Sequence, residues 1–149
     1  EHWANEIECH EDGSIKALYL SNKSLVGTLP HSIGYLTSME RLLLDMNELN
    51  GTLPPHLGNL VNLRELHLSS NKFEGTLPSH LGRLERCETL GLERNKLQGT
   101  LPSEMGGMES LRDLRLSHNI LNGTLPTELG NLAKLHVLHM GHNVFDGSL

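Results

Sequence analysis

The sequence predicts an α/β solenoid, with a curved parallel β-sheet on its concave face and short 3-10 or helical turns on its convex face. Three observations lead there. The tetrapeptide Gly-Thr-Leu-Pro returns at Gly27, Gly51, Gly75, Gly99 and Gly123, a spacing of 24 residues without a slip. Within each unit a Leu-x-Leu step gives the two-residue period of a strand, and helical spacing does not fit the whole unit. One Asn stands at the same place in five units. A period of this size marks coils that stack and cover one another's apolar edges.

Residues 1–14 precede the repeats, and 15–149 hold five full units and a truncated sixth that stops at Gly147-Ser148-Leu149. Each unit is numbered here from its opening apolar residue: Ile15, Met39, Leu63, Cys87, Leu111 or Leu135. Apolar residues then fall at positions 1, 4, 6, 11, 15, 19 and 22, which in the third unit are Leu63, Leu66, Leu68, Phe73, Leu77, Leu81 and Leu84. The pattern predicts a short parallel strand over positions 3–8, then a tight turn and a second extended stretch around Gly-Thr-Leu. Pro at position 16 opens a single 3-10 or helical turn, because its preset φ suits that start and no N–H is needed there. Gly at position 20 is expected to close it.

Position 9 is Asn47, Asn71, Asn95, Asn119 and Asn143. A polar side chain inside an apolar coil is costly unless it is bonded. An amide can bond backbone groups of its own turn and of the next, so the five are expected to form a ladder. Lys23 takes this place in the first unit, as suits an atypical terminal coil.

The unit L-x-x-L-x-L-x-x-N-x-L-x-G-T-L-P-x-x-L-G-x-L-x-x resembles the plant-type leucine-rich repeat. That repeat is found in ectodomains of receptor-like kinases and receptor-like proteins and in secreted polygalacturonase inhibitors. Leu at position 15 departs from the Ile usual in the plant family. Upstream, Trp3 to Cys9 with Asp12-Gly13 is similar to the tail of the family's N-terminal cap, so 1–14 reads as a cap remnant. Its Trp-to-Cys spacing is one residue longer than usual, and no earlier Cys is present. The resemblance implies a non-catalytic recognition module that binds a protein, peptide or glycan on the concave face. It also implies an extracellular or cell-surface location, with a cytoplasmic interaction protein or a structural spacer as the alternatives.

The net charge of −6 and the absence of a basic run argue against nucleic acid and against contact of this segment with an anionic membrane. No stretch approaches the ~18 apolar residues of a membrane span. The chain lacks an initiator Met and stops inside a repeat, so it reads as part of a longer protein. A membrane anchor or kinase elsewhere in that protein is compatible with the resemblance. Two Cys are too few for a disulfide framework. Cys87 stands at core position 1, where a small apolar filler is expected. Cys9 lies more than three coils away, too far to pair with it. The sequons at Asn22, Asn50 and Asn122 are candidate N-glycosylation sites.

Function is expected on the strand face. Positions 3, 5, 7, 8 and 10 should point outward there, and their residues vary from coil to coil while core positions hardly do. The candidate ligand-binding residues are Tyr19, Asp45, His67, Glu93, Arg94, Arg115, His118, His139 and His142. Arg115, His118, His139 and His142 form the most distinctive patch, suited to an acidic ligand once the imidazoles protonate. No metal site or cofactor is expected, since neither Cys nor carboxylate completes the His set and Arg115 would repel a cation. Catalysis is not expected either: Ser117 and His118 are consecutive on a strand and diverge, and nothing supplies an oxyanion hole. Position 2 alternates in sign through Lys16, Glu40, Arg64, Glu88, Arg112 and His136, which predicts a register-holding charge ladder. With one Trp, two Tyr and two Phe, the chain has few aromatic anchors, so contacts should be mainly polar.

Overall fold

A computed structural model describes residues 6–146; Trp3 and Gly147-Ser148-Leu149, on which two of these readings rest, lie outside them. The strands in chain order are β1 (Ile7–Cys9), β2 (Ile15–Tyr19), β3 (Val26–Thr28), β4 (Arg41–Leu43), β5 (Glu48–Thr52), β6 (Glu65–His67) and β7 (Lys72–Thr76). They continue with β8 (Thr89–Gly91), β9 (Lys96–Gly99), β10 (Asp113–Arg115), β11 (Ile120–Gly123), β12 (Val137–His139) and β13 (Val144–Phe145). The concave sheet runs β1-β2-β4-β6-β8-β10-β12, with β1 antiparallel on the edge of β2 and the rest parallel. A second parallel sheet, β13-β11-β9-β7-β5-β3, forms the flank. Short 3-10 helices at His31–Tyr35, Pro55–Asn59, Ser79–Arg83, Ser103–Gly107 and Thr127–Asn131 complete the coils.

The register equals the repeat. Leu42, Leu66, Leu90 and Leu114 stand directly beside one another, so each coil places the same residue over the same neighbour. The Leu side chains at positions 4 and 6 are withdrawn from water along the middle of the stack, each worth roughly 1.5–3 kcal/mol. From the second coil onward regular strand covers only positions 3–5, shorter than the sequence predicts. Hydrogen bonding between coils nevertheless continues through position 8, as in Met46 N–H to Ser69 C=O and Ser70 N–H to Glu93 C=O. The chain bends away because position 8 is left-handed throughout: Asn22, Met46, Ser70, Arg94, His118 and His142 all have φ between 55° and 59°.

Two repeated glycines serve different ends. At position 13, Gly51, Gly75, Gly99 and Gly123 have φ of 70–76°, a region side chains avoid. At position 20 the expected cap role fails. Gly34, Gly58, Gly82 and Gly106 lie inside the 3-10 helices with ordinary φ, and the helix ends two residues later at Leu36, Leu60, Leu84 and Met108. What position 20 requires is closeness: a Cβ on Gly82 would fall 2.1 Å from the Glu104 carbonyl oxygen of the next coil.

Each position-9 Asn clamps two coils, its own and the preceding one rather than the next. Asn71 Oδ1 accepts from Leu49 N–H at 3.0 Å, and its Nδ2 donates to Leu44 C=O at 2.9 Å and to its own Leu68 C=O at 3.2 Å. The same set recurs at Asn47, Asn95, Asn119 and Asn143. Of the charge ladder the middle is present: Arg64 lies 3.9 Å from Glu40 and 3.4 Å from Glu88, and Arg112 lies 3.4 Å from Glu88. Lys16 turns instead to Glu8 of β1, at 2.8 Å. These exposed pairs are worth ~0–1 kcal/mol each.

Cys9 and Cys87 are both free thiols, the first exposed and the second fully enclosed. Burial pushes the Cys87 thiol up to about 12, and its Sγ lies 3.2 Å from the Thr89 carbonyl oxygen. A thiol reagent on the native protein should therefore modify Cys9 quickly and leave Cys87 untouched until unfolding. Cys87→Ala should cost roughly 1–3 kcal/mol through the cavity it opens, read from the urea midpoint, and Cys87→Val less.

Candidate functional site

On the concave sheet, position 4 points into the core, so positions 3 and 5 point out. Positions 7 and 8 follow on the left-handed turn. Position 10 does not belong to this face: Glu48, Lys72, Lys96, Ile120 and Val144 each open a strand of the flanking sheet.

At the N-terminal end Tyr19 is already engaged. Its hydroxyl donates to Glu8 Oε2 at 2.9 Å and accepts from Arg41 at 3.4 Å, while Arg41 Nε donates to Glu65 at 3.1 Å. Hydrogen bonds from Lys16 and Tyr19 hold the Glu8 carboxyl below the usual range. These contacts fasten β1 over the first coil, where His10 also reaches Ser38 C=O at 3.0 Å. The sequence reading gave Tyr19 to a ligand and missed this network. Its signal was available, because position-3 Arg41 and Glu65 share a face with the position-5 column.

The central third holds a groove of about 450 Å³ lined by Asp45, Glu65, His67, Gly91, Glu93 and Arg115 among others. His67 stands between two carboxylates, 3.7 Å from Asp45 and 3.8 Å from Glu65. Asp45 Oδ1 accepts from Ser69 N–H at 2.8 Å, which fixes its orientation.

The C-terminal third divides. Arg115 forks onto Asp113, with NH2 donating to Oδ2 at 2.8 Å and Nε to Oδ1 at 3.0 Å, and this pair holds the guanidinium pKa above its ordinary value. Arg115 is thus neutralised by a carboxylate two residues back on the same face, and it does not add its charge to the His group. His139 stands beside it in register and is exposed. His118 and His142 do come together: their rings stack with centroids 4.1 Å apart and planes 12° apart. Lost hydration, then the neighbouring His142 and Arg94, hold the His118 pKa below its ordinary value, while Glu93 pulls the other way. Arg94, His118 and His142 occupy position 8 of three successive coils, so the shared turn geometry presents them as a row.

Among the described residues no three His, Cys, Asp or Glu side chains converge as a metal site, and no helix is long and apolar enough to cross a membrane. Asn22, Asn50 and Asn122 are all exposed, Asn22 on the concave rim turn and the other two on the flank strands β5 and β11.

Leucine-rich-repeat family profiles match residues 38–60 and 61–121. The chain is similar to the PEPR1–AtPEP1 crystal structure, with 35% identity over 94% of this chain and 20% of that one, TM-score 0.92. It is similar to the Arabidopsis receptor kinase HAESA ectodomain in complex with an N-terminally extended IDA peptide hormone ligand: 33% identity, 95% of this chain, 24% of that one, TM-score 0.86. It is also similar to a chain of the Arabidopsis thaliana BIR3–SERK2 complex, with 32% identity over 95% of this chain and 76% of that one, TM-score 0.82. The chain therefore spans a fifth to a quarter of the first two. No curated protein matches.

Proposed function

The chain belongs to the leucine-rich-repeat family, and on that premise we propose that it is a recognition segment of an extracellular receptor-like protein that takes a peptide or protein ligand on its concave face. The observation that carries this reading is the contrast between columns. Positions 4 and 6 are almost uniformly Leu, whereas positions 5, 7 and 8 change charge and size at nearly every coil. Packing dictates the former and leaves the latter free for a partner. The HAESA structure, a receptor ectodomain with a peptide hormone, supports the same reading.

Charge on this face is segregated. Carboxylates collect in the central groove, and Arg94, His118 and His142 form a row at one rim. The row suits an acidic group of the ligand. His118 resists protonation in the free protein, chiefly through lost hydration. A bound anion favours the protonated imidazole, so binding takes up protons and tightens as pH falls. Affinity for acidic peptides should rise roughly 3–10-fold between about pH 7.5 and about pH 5.5. A binding screen at the two pH values, with acidic peptides and pectin-like oligomers, checks it against a His118→Ala, His142→Ala double mutant. Equal behaviour of mutant and wild type would reduce the row to solvated surface. Binding that follows changes at Asp45 and Glu93 would move the site to the groove.

A further inference from the structure

We propose that the gap over Gly91 is a subsite for a lysine or arginine side chain of the ligand, with Glu93 as its counter-charge. This rests on the concave face being the recognition surface. Column 5 carries His67, Gly91 and Arg115 on adjacent strands in register, so a position without a side chain lies between two long ones. Gly91 is itself buried on the groove floor, and His67 Nδ1 lies 3.8 Å from where a Cβ would stand. Its backbone does not call for glycine, since it is absent from the positive-φ residues. The nearest obstacle to a Cβ there is the Ser69 hydroxyl at 3.0 Å, the end of a side chain that can rotate. The opening is thus a feature of this sequence, not of the fold.

The charges around it select the occupant. Four carboxylates line the groove: Asp45, Glu65, Glu93 and Asp113. Glu65 holds Arg41, Asp113 holds Arg115, and Asp45 holds Ser69 N–H and faces His67. Glu93 is half-buried, and its carboxylate makes no hydrogen bond or ion pair within the described residues. Arg115 feels Glu93 but is committed to Asp113, and Arg94 sits on the left-handed turn. A half-buried carboxylate without a partner gains from an incoming cation, and a charge-assisted bond there is stronger than one between neutral groups. Met46, 62% exposed at the rim of the same groove, offers an apolar surface to the aliphatic stem of such a side chain. An acidic or short apolar side chain would leave Glu93 unmatched.

The test uses peptides selected on the immobilised wild-type protein from a random-sequence display library. The tightest selected peptide is then synthesised with each Lys or Arg replaced in turn by norleucine. One replacement should lose roughly tenfold or more in affinity on wild type. That same replacement should lose little on Glu93→Gln, so that the two changes are coupled. Gly91→Leu should abolish binding, and the nearly isosteric Glu93→Gln keeps the test open if Gly91→Leu fails to fold. Enrichment of peptides without basic residues, or equal losses on wild type and Glu93→Gln, would overturn the subsite and leave concave recognition standing. Failure to select any peptide that competes on this face would overturn both.

Discussion

Gly82→Ala is expected to destabilise the protein by about 3 kcal/mol or more, whereas Gly91→Ala, whose added Cβ meets only the end of a side chain, is expected to cost less than about 1 kcal/mol. The added Cβ at Gly82 would lie 2.1 Å from the Glu104 carbonyl oxygen and 2.6 Å from its carbon. Both atoms are main chain, held by the 3-10 helix Ser103–Gly107, so neither can rotate aside. The coils must separate locally, which loosens the packing of Leu81 and Met105 behind the contact. At Gly91 the nearest atom is the Ser69 hydroxyl oxygen at 3.0 Å, which can rotate away. Urea unfolding of the two variants beside wild type checks the pair. Similar midpoint shifts would mean that the approach of the next coil is not what requires glycine at position 20.

Asn95→Leu is expected to cost roughly 2–4 kcal/mol. The side chain accepts from Phe73 N–H at 3.0 Å and donates to Leu68 C=O at 3.0 Å and Leu92 C=O at 3.1 Å. Leucine fills the space but leaves one donor and two acceptors without partners in a part-buried site. Lys23→Leu, at the same repeat position in the first coil, should cost less, since it leaves no backbone group without its partner. It removes one ion pair, at 2.6 Å to Glu6, whose carboxylate is largely withdrawn from water. Thermal unfolding distinguishes them, and equal shifts would remove the clamp as a source of stability.

The stacked architecture was legible because every coil repeats one set of short-range signals: Leu-x-Leu, Pro at the 3-10 start, Asn in the apolar turn. What escaped reading was set by the neighbouring coil. Gly82 looks like a helix stop when only its own segment is considered, and the Glu104 carbonyl that excludes a side chain there is 22 residues away. The direction of the Asn clamp was equally hidden, since a strict repeat looks the same from either side. The left-handed turn at position 8 has no residue signature: Asn, Met, Ser, Arg and His share no such preference, and the ladder of inter-coil bonds imposes it. At the site, the His118–His142 stack was readable from the column. Neutralisation of Arg115 by Asp113 was readable too, once position 3 is set beside position 5 on the same face.

The backward reach of the Asn clamp bears on how the chain is made. Asn71 finishes the hydrogen bonding of Leu44 and Leu49, and Asn95 that of Leu68 and Phe73. During synthesis from the N-terminus, the coil that receives each Asn has always emerged before the Asn itself. A nascent coil therefore meets a docking surface already in place, and the only backbone groups left waiting are those of the most recent turn. Growth can proceed one turn at a time behind the ribosome, with no long-range contact to await.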